Sequence, residues 1–195
     1  MTARQKRGCL LVALGLCMVF ASLWLHRTQE RQDALAGENA AVLLHQLQTD
    51  HAPPSLPDPA QPEAMAEKAY LDYTVIGTLR IADLGMELPI LSTWSEEWLY
   101  VSPCRFSGSL AGKDLILMGH NFKSHFTPLH RITVGTGVEF EDVGGKTHRY
   151  AVAELEILYK NDIEKLPSAY PLTLFTCTSG GENRLIVRCI ELSGQ

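Results

Sequence analysis

The sequence predicts an all-β domain, a closed barrel or a sandwich, carried behind one apolar helix. Three observations lead there. From residue 71 onward, short β-prone runs alternate with turns; helix-forming pieces in that region are few and short; and the first 27 residues carry a long uncharged stretch behind basic residues. In order, "VIGTLRI", "ADLG" and "MELPIL" read as strand, turn and strand. "DLILMGHN" is an apolar strand ending in polar residues, and "GVEFEDV", "GG" and "KTHRYAVAELEIL" make a hairpin. "LTLFTCTSGGENRLIV", residues 172 to 187, makes the last hairpin, for about seven strands. Helical pieces are expected at "SEEWLYV" near 95 to 101, "SHFTPLHRI" near 124 to 132 and "NDIEKL" near 161 to 166.

The chain has 195 residues, 46% hydrophobic and 20% charged, which suits one globular domain with appendages. A formal net charge of -5 gives no electrostatic reason to expect a nucleic-acid partner. At the N-terminus, Arg4, Lys6 and Arg7 precede "GCLLVALGLCMVFASLWL", residues 8 to 25, which contains no charge. That length crosses a bilayer core of roughly 30 Å. Basic residues ahead of the span hold the N-terminus in the cytoplasm, so the remainder is expected outside a cell membrane crossed once. A cleaved secretory signal shares the charged start, but the run exceeds a usual signal core and lacks a good small-x-small cleavage site. Leu16 before Cys17 speaks against a lipoprotein signal. Three regions are therefore expected: a basic start and signal-anchor over 1–27, a helical and then Pro-rich stalk over 28–70, and an extracellular domain over 71–195.

Of the five cysteines, Cys9 and Cys17 fall in the apolar segment, leaving Cys104, Cys177 and Cys189 in the domain. A Cys104–Cys189 disulfide and two buried thiols are both open, and either leaves Cys177 free. If Gly180 and Gly181 form a tight primed turn, both with positive φ, then Cys177 faces Arg184 across the last hairpin. A four-residue loop keeps that pairing, and an odd-length loop shifts it by one. Directly opposed residues share a sheet face, with Cβ atoms about 4.5 to 5.5 Å apart.

A thiolate is a strong nucleophile, and a fixed cation beside it favours the thiolate and steadies an oxyanion. The missing proton-transfer partner is His120, at the end of the strand "DLILMGH", where a rigid backbone meets a loop. Cys177, His120 and Arg184 together supply nucleophile, general acid/base and oxyanion stabiliser, the roles of acyl transfer.

These residues resemble the sortases, cysteine transpeptidases of Gram-positive cell surfaces. "LTLFTC" matches their TLxTC motif, "MGHN" their His-bearing strand end and "RLIV" the strand of their arginine. The order also agrees, and the resemblance spans roughly residues 73 to 192. "GHN" followed by "HFTPLHRI" looks most like class B or clostridial-type sortases, whereas the stretch between "ELEIL" and "LTLFTC" is shorter than the helix-bearing insertion of typical class B enzymes. The resemblance implies a closed β-barrel of about seven to eight strands. It also implies that Cys177 attacks the scissile carbonyl of a C-terminal sorting signal on a surface protein, forming a thioacyl enzyme. His120 protonates the leaving amine and Arg184 binds the oxyanion or peptide backbone. An amine of a peptidoglycan precursor or a pilin lysine then takes the acyl group. Thr176 and Asn121 are the substrate-binding candidates the resemblance implies.

Several residues compete with this assignment. Arg188 lies on the same strand face as Arg184 and is its direct rival. His125 and His130 rival His120, yet an i, i+5, i+10 series does not align on one helix face, so no metal site is expected. Glu139, Glu141, Asp142, Asp162 and Glu164 read as a solvated acidic surface rather than a calcium site, and no cofactor is expected. Trp94, Trp98 and Phe106 read as core or groove lining. Two other functions stay in view: a hydrolytic cell-wall cysteine peptidase, for which the papain-like Cys-before-His order is reversed here, and a non-catalytic sortase-like domain that only binds sorting peptides or assembles pili.

Overall fold

The structure, a computed structural model, describes residues 3–50, 52–55 and 65–192, with side chains from residue 10 onward. Residues 56–64, the middle of the expected Pro-rich stalk, lie outside the described residues. One helix, α1 (Ala3–Thr49), runs through the apolar segment and into the stalk region. Its apolar side chains from Leu10 to Leu25 are exposed, and it is long and apolar enough to cross a membrane. Further along, its surroundings change. Ala36, Ala40 and Leu43, spaced to share one helix face, are buried against the domain. Gly37 sits so close that a Cβ there would meet the Ser124 Cβ at 3.0 Å. The second half of the helix is thus part of the domain's packing rather than a free spacer. At its C-terminal end, Lys68 donates to the Asp50 carbonyl at 2.7 Å and pairs with its carboxylate at 3.3 Å, a cation placed where the helix dipole favours one.

The domain is a closed barrel. Its strands are β1 (Lys68–Tyr70), β2 (Tyr73–Ile81), β3 (Met86–Leu91), β4 (Cys104–Ser107), β5 (Leu115–Met118), β6 (Gly137–Asp142), β7 (Thr147–Tyr159), β8 (Leu172–Cys177) and β9 (Asn183–Glu191). They pair in the order β1-β2-β3-β4-β5-β8-β9-β7-β6, and β6 returns to β2, so eight strands close on themselves with β1 appended. The two strands missed by sequence patterning, β1 and β4, are three and four residues long, too short to show alternation. The expected helical pieces are single turns. Ser95 caps α2 (Glu96–Leu99) through the Trp98 N–H, and 3-10 turns cover Thr127–Arg131 and Ile163–Lys165.

Strand alternation separates the interior from the site. Leu115, Leu117, Leu172, Leu174, Leu185 and Val187 point into the barrel core. Their neighbours Ile116, Phe175 and Ile186 point the other way, joining Leu158 and Leu166 in a second apolar cluster outside the barrel. Cys104 and Cys189 are buried free thiols in different clusters, and burial pushes both up to about 12. Of the two open alternatives, the structure holds two thiols.

Candidate active site

Two ladders bring the site together. β5 and β8 are parallel, with Leu117 opposite Leu174 and Met118 opposite Phe175. Continuing that register by two residues puts His120 beside Cys177, and the Gly119 N–H still donates to the Phe175 carbonyl at 3.2 Å, one step past the strand end. On the other side of β8, the antiparallel ladder with β9 pairs Cys177 with Arg184. β9 in turn sets Arg184 opposite Leu158 of β7. His120, Cys177, Arg184 and Leu158 therefore form one row across four strands, on the barrel's outer face. All four line one groove of about 370 Å³.

The hairpin turn differs from the tight primed turn. Gly181 alone has positive φ, at 72°, and its N–H donates to the Thr178 carbonyl at 2.8 Å. Thr178 pairs with Asn183, so the loop is Ser179 to Glu182, the even-length alternative that preserves the pairing. The Arg184 guanidinium uses Nη1 to bond the Gly181 and Asn183 carbonyls, at 3.0 and 3.2 Å, which fixes it beside the turn. Its rival Arg188 is 4% exposed and committed elsewhere. It donates to the carbonyls of Leu166 and Lys165, to Ser168 and Thr173, and to Glu156. Arg188 ties down the β7–β8 connection and is not among the groove's lining residues.

His120 packs in a triangle of rings with Tyr100 at 4.6 Å and Phe122 at 4.7 Å between centroids, those two being 5.8 Å from each other. Burial holds its pKa below the ordinary histidine value, against an opposing pull from the Glu96 carboxylate. Glu96 and Tyr100 stand four residues apart at the two ends of α2, which sets both on the side facing His120. The groove floor is aromatic: Phe106 stacks with Trp94 at 5.8 Å and meets Phe175 edge-on at 5.3 Å. Trp98 packs instead in the cluster beneath α1. Leu166, Ile163, Asp162 and Lys160 form the wall opposite.

The two expected substrate-binding residues hold the frame. The Thr176 hydroxyl, 1% exposed, donates to the Gly119 carbonyl at 2.9 Å, joining the residue before the thiol to the residue before the imidazole. Asn121 does not line the groove; its Oδ1 accepts from Thr127 Oγ1 at 2.8 Å and lies 3.1 Å from His130 Nε2. His125 is fully buried beneath α1, next to Phe122. Tyr100, Glu96 and Phe122 were not singled out as site residues from sequence, and His130 was weighed only as a rival of His120. The i, i+4 spacing of Glu96 and Tyr100 in "SEEWLY" is the one local signal that could have found any of the first three.

Several of the acidic residues have partners: outside the groove, Glu139 pairs with Arg149 and Arg80 and Asp142 bonds His148, and in the groove wall Asp162 pairs with Lys165. No grouping of three His, Cys, Asp or Glu side chains suited to a metal ion occurs among the described residues.

A family model described as the sortase domain matches residues 79–191. Among solved structures, the chain is similar to sortase C1 of Streptococcus agalactiae, with TM-score 0.56 and 25% identity over 62% of this chain and 69% of that one. It is also similar to sortase A from Corynebacterium diphtheriae, with TM-score 0.57 and 22% identity over 64% and 63%. A complex of S. agalactiae sortase C1 with MTSET aligns over 86% of this chain and 89% of that one, with TM-score 0.57 and 24% identity. A search of curated proteins returned no match.

Proposed function

The chain belongs to the sortase family, and from that premise we propose a membrane-anchored transpeptidase that cleaves a C-terminal sorting signal and passes the acyl group to an amine. The observation that carries this reading is the single row of His120, Cys177 and Arg184 across β5, β8 and β9, opening on one groove.

The groove accepts an extended peptide over its aromatic floor, with the scissile carbonyl above Cys177. Cys177 Sγ attacks the carbonyl carbon while His120 takes the thiol proton. The developing oxyanion meets the Arg184 guanidinium, whose position is set by the turn carbonyls and costs no rearrangement during the reaction. As the C–N bond breaks, His120 returns the proton to the leaving amine. An imidazole whose pKa is held low parts with that proton readily. The second half runs in reverse: an incoming amine attacks the thioester, its proton passes through His120, and the S–C bond breaks to regenerate Cys177.

The uncharged stretch of α1 is the membrane anchor in this reading, with the basic start inside the cell and the barrel outside. The acceptor is an amine of a peptidoglycan precursor or of a pilin. For subclass, "GHN" followed by "HFTPLHRI" favours the class B or clostridial type. The single 3-10 turn Ile163–Lys165 between β7 and β8 departs from the class B insertion.

The test is mass spectrometry of the full-length chain in detergent with a library of sorting peptides and two acceptors, a peptidoglycan-type amine and a lysine peptide. An amide-linked product and a thioacyl adduct on Cys177 are expected, both lost in Cys177→Ala. Free acid alone under saturating amine makes the chain a peptidase, and absence of any adduct makes it a binding domain.

A further inference from the structure

The position of His120 leaves a gap in the β5–β8 ladder. In that parallel ladder, Leu115 N–H donates to the Pro171 carbonyl at 3.2 Å and Gly119 N–H to the Phe175 carbonyl at 3.2 Å. Donors therefore fall on every second residue of β5, and the next pairing in the series is Asn121 N–H to the Cys177 carbonyl. The chain leaves the ladder first: β5 ends at Met118, and the loop turns back so that the His120 carbonyl accepts from Phe126 N–H at 3.1 Å. The antiparallel partner cannot fill the gap. Thr178 N–H bonds the Asn183 carbonyl, which makes Thr178–Asn183 the hydrogen-bonded pair and turns the polar backbone groups of Cys177 away from β9.

His130 stands in the vacant donor position. From the 3-10 turn Thr127–Arg131, its Nε2 comes within 3.3 Å of the Cys177 carbonyl and 3.1 Å of Asn121 Oδ1. A backbone carbonyl only accepts, so Nε2 carries the proton. We infer that His130 is a positioning residue of the active site, whose Nε2–H replaces the missing ladder donor and fixes the Cys177 backbone against the loop of His120.

Its partner Asn121 follows His120 directly, and Thr176 bonds Gly119, which precedes it. The imidazole thus has a clamp on each side: Thr176 to Gly119, and Cys177 through His130 to Asn121. Together they set the distance between thiol and imidazole where β5 itself no longer does. The inference rests on Cys177 being the nucleophile, and its effect falls on the chemical step rather than on peptide binding, because His130 lies outside the groove lining.

The test compares wild type, His130→Ala and His130→Gln as full-length chains in detergent, Gln offering an amide N–H to the same carbonyl. Expected for His130→Ala is about a tenfold lower rate of Cys177 thioacylation, with KM within about twofold and melting temperature little changed. His130→Gln is expected to restore most of the rate. Nitrogen NMR of ¹⁵N-histidine-labelled chain is expected to show His130 as the Nε2–H tautomer at neutral pH, with the resonance assigned by its loss in His130→Gln. A wild-type rate in His130→Ala, or an Nδ1–H tautomer, overturns the inference. If wild type forms no thioacyl adduct at all, the transpeptidase reading fails separately. The positioning role is then decided by the tautomer together with the alkylation rate of Cys177 by iodoacetamide in wild type and His130→Ala: an unchanged rate overturns it and a changed rate upholds it.

Discussion

The two sides of Cys177 are held by different means. On the β9 side, Arg184 arrives through an unbroken ladder and a four-residue turn, all within one local hairpin. On the β5 side the ladder stops short, and His120 is held by side chains outside the ladder: the Thr176 hydroxyl and the Tyr100 ring from other segments, the Phe122 and His130 rings from the loop that follows, and the packing of α1 against that loop. The difference teaches where this site is rigid by backbone pairing and where it can be disturbed from afar. A ladder fixes position through many equivalent hydrogen bonds, whereas the histidine side depends on a few individual side-chain contacts.

The sharpest break between the two sides uses the two arginines of β9. Arg184→Ala is expected to lower thioacylation by about 10² or more with little loss of stability, since Arg184 bonds only nearby turn carbonyls among the described residues. Arg188→Ala is expected to do the reverse. Losing it strands the Leu166 and Lys165 carbonyls and the Glu156 carboxylate, at a cost of about 2 to 4 kcal/mol by chemical denaturation. Equal stability losses in the two variants would erase the distinction drawn between groove arginine and structural arginine.

The same contrast decides what could be read from sequence. Turn counting placed Cys177 opposite Arg184 because a hairpin's register depends only on residues adjacent in sequence, and both even-length loops give the same pairing. The barrel's strands were legible where runs of four or more apolar or alternating residues lay between turn residues, and illegible in the three-residue β1 and the four-residue β4. The neighbourhood of His120 was not legible. Its register with β8 is a parallel pairing between segments far apart in the chain, and no local pattern specifies that. Thr176 and Asn121 were expected at the substrate; Thr176 lines the groove while its hydroxyl donates to the Gly119 carbonyl, and the Asn121 side chain lies outside the groove lining, against Thr127 and His130. His130 itself looked like a competitor for the role of general base, because spacing along a chain does not reveal which backbone carbonyl a loop leaves without a partner.

A weaker disturbance comes through pH. His125, buried between α1 and the Phe122 loop, has its pKa pushed down to about 4 by burial and by the charge of His120, against smaller opposing effects from the Ala36 and Val101 carbonyls and Asp33. Between that value and the ordinary 6.5, the unfolded chain binds a proton that the folded chain refuses. Stability is therefore fully present above about pH 6.5 and falls as pH drops through about 4, by about 3 kcal/mol for this residue. His120, lowered in the same direction, adds to the slope. Urea denaturation from pH 7.5 to 4 should show the decline, and His125→Phe should flatten it. An unchanged slope in that variant would move the titrating group elsewhere.

The smallest expected effect tests how far α1 reaches into the site. Asp33 accepts from the Ser124 N–H at 2.9 Å and from its hydroxyl at 2.6 Å, and the Asp33 carbonyl takes a further bond from that hydroxyl at 2.9 Å. Burial raises the Asp33 carboxyl, but the Ser124 hydrogen bonds and the Lys123 charge outweigh it and leave the group below its ordinary value. Asp33→Ala removes the carboxylate contacts at a cost of about 1 kcal/mol, because the site is partly solvated and the carbonyl contact survives. Ser124 lies four residues after His120, so loosening it should raise the mobility of the Phe122 ring that packs on the imidazole while leaving the Cys177–Arg184 hairpin untouched. Hydrogen exchange reads this directly: faster exchange is expected over residues 120 to 127 and unchanged exchange over 172 to 191. Equal acceleration in both segments would mean that α1 supports the barrel as a whole, and the separation between a ladder-held and a side-chain-held half of the site would not survive it.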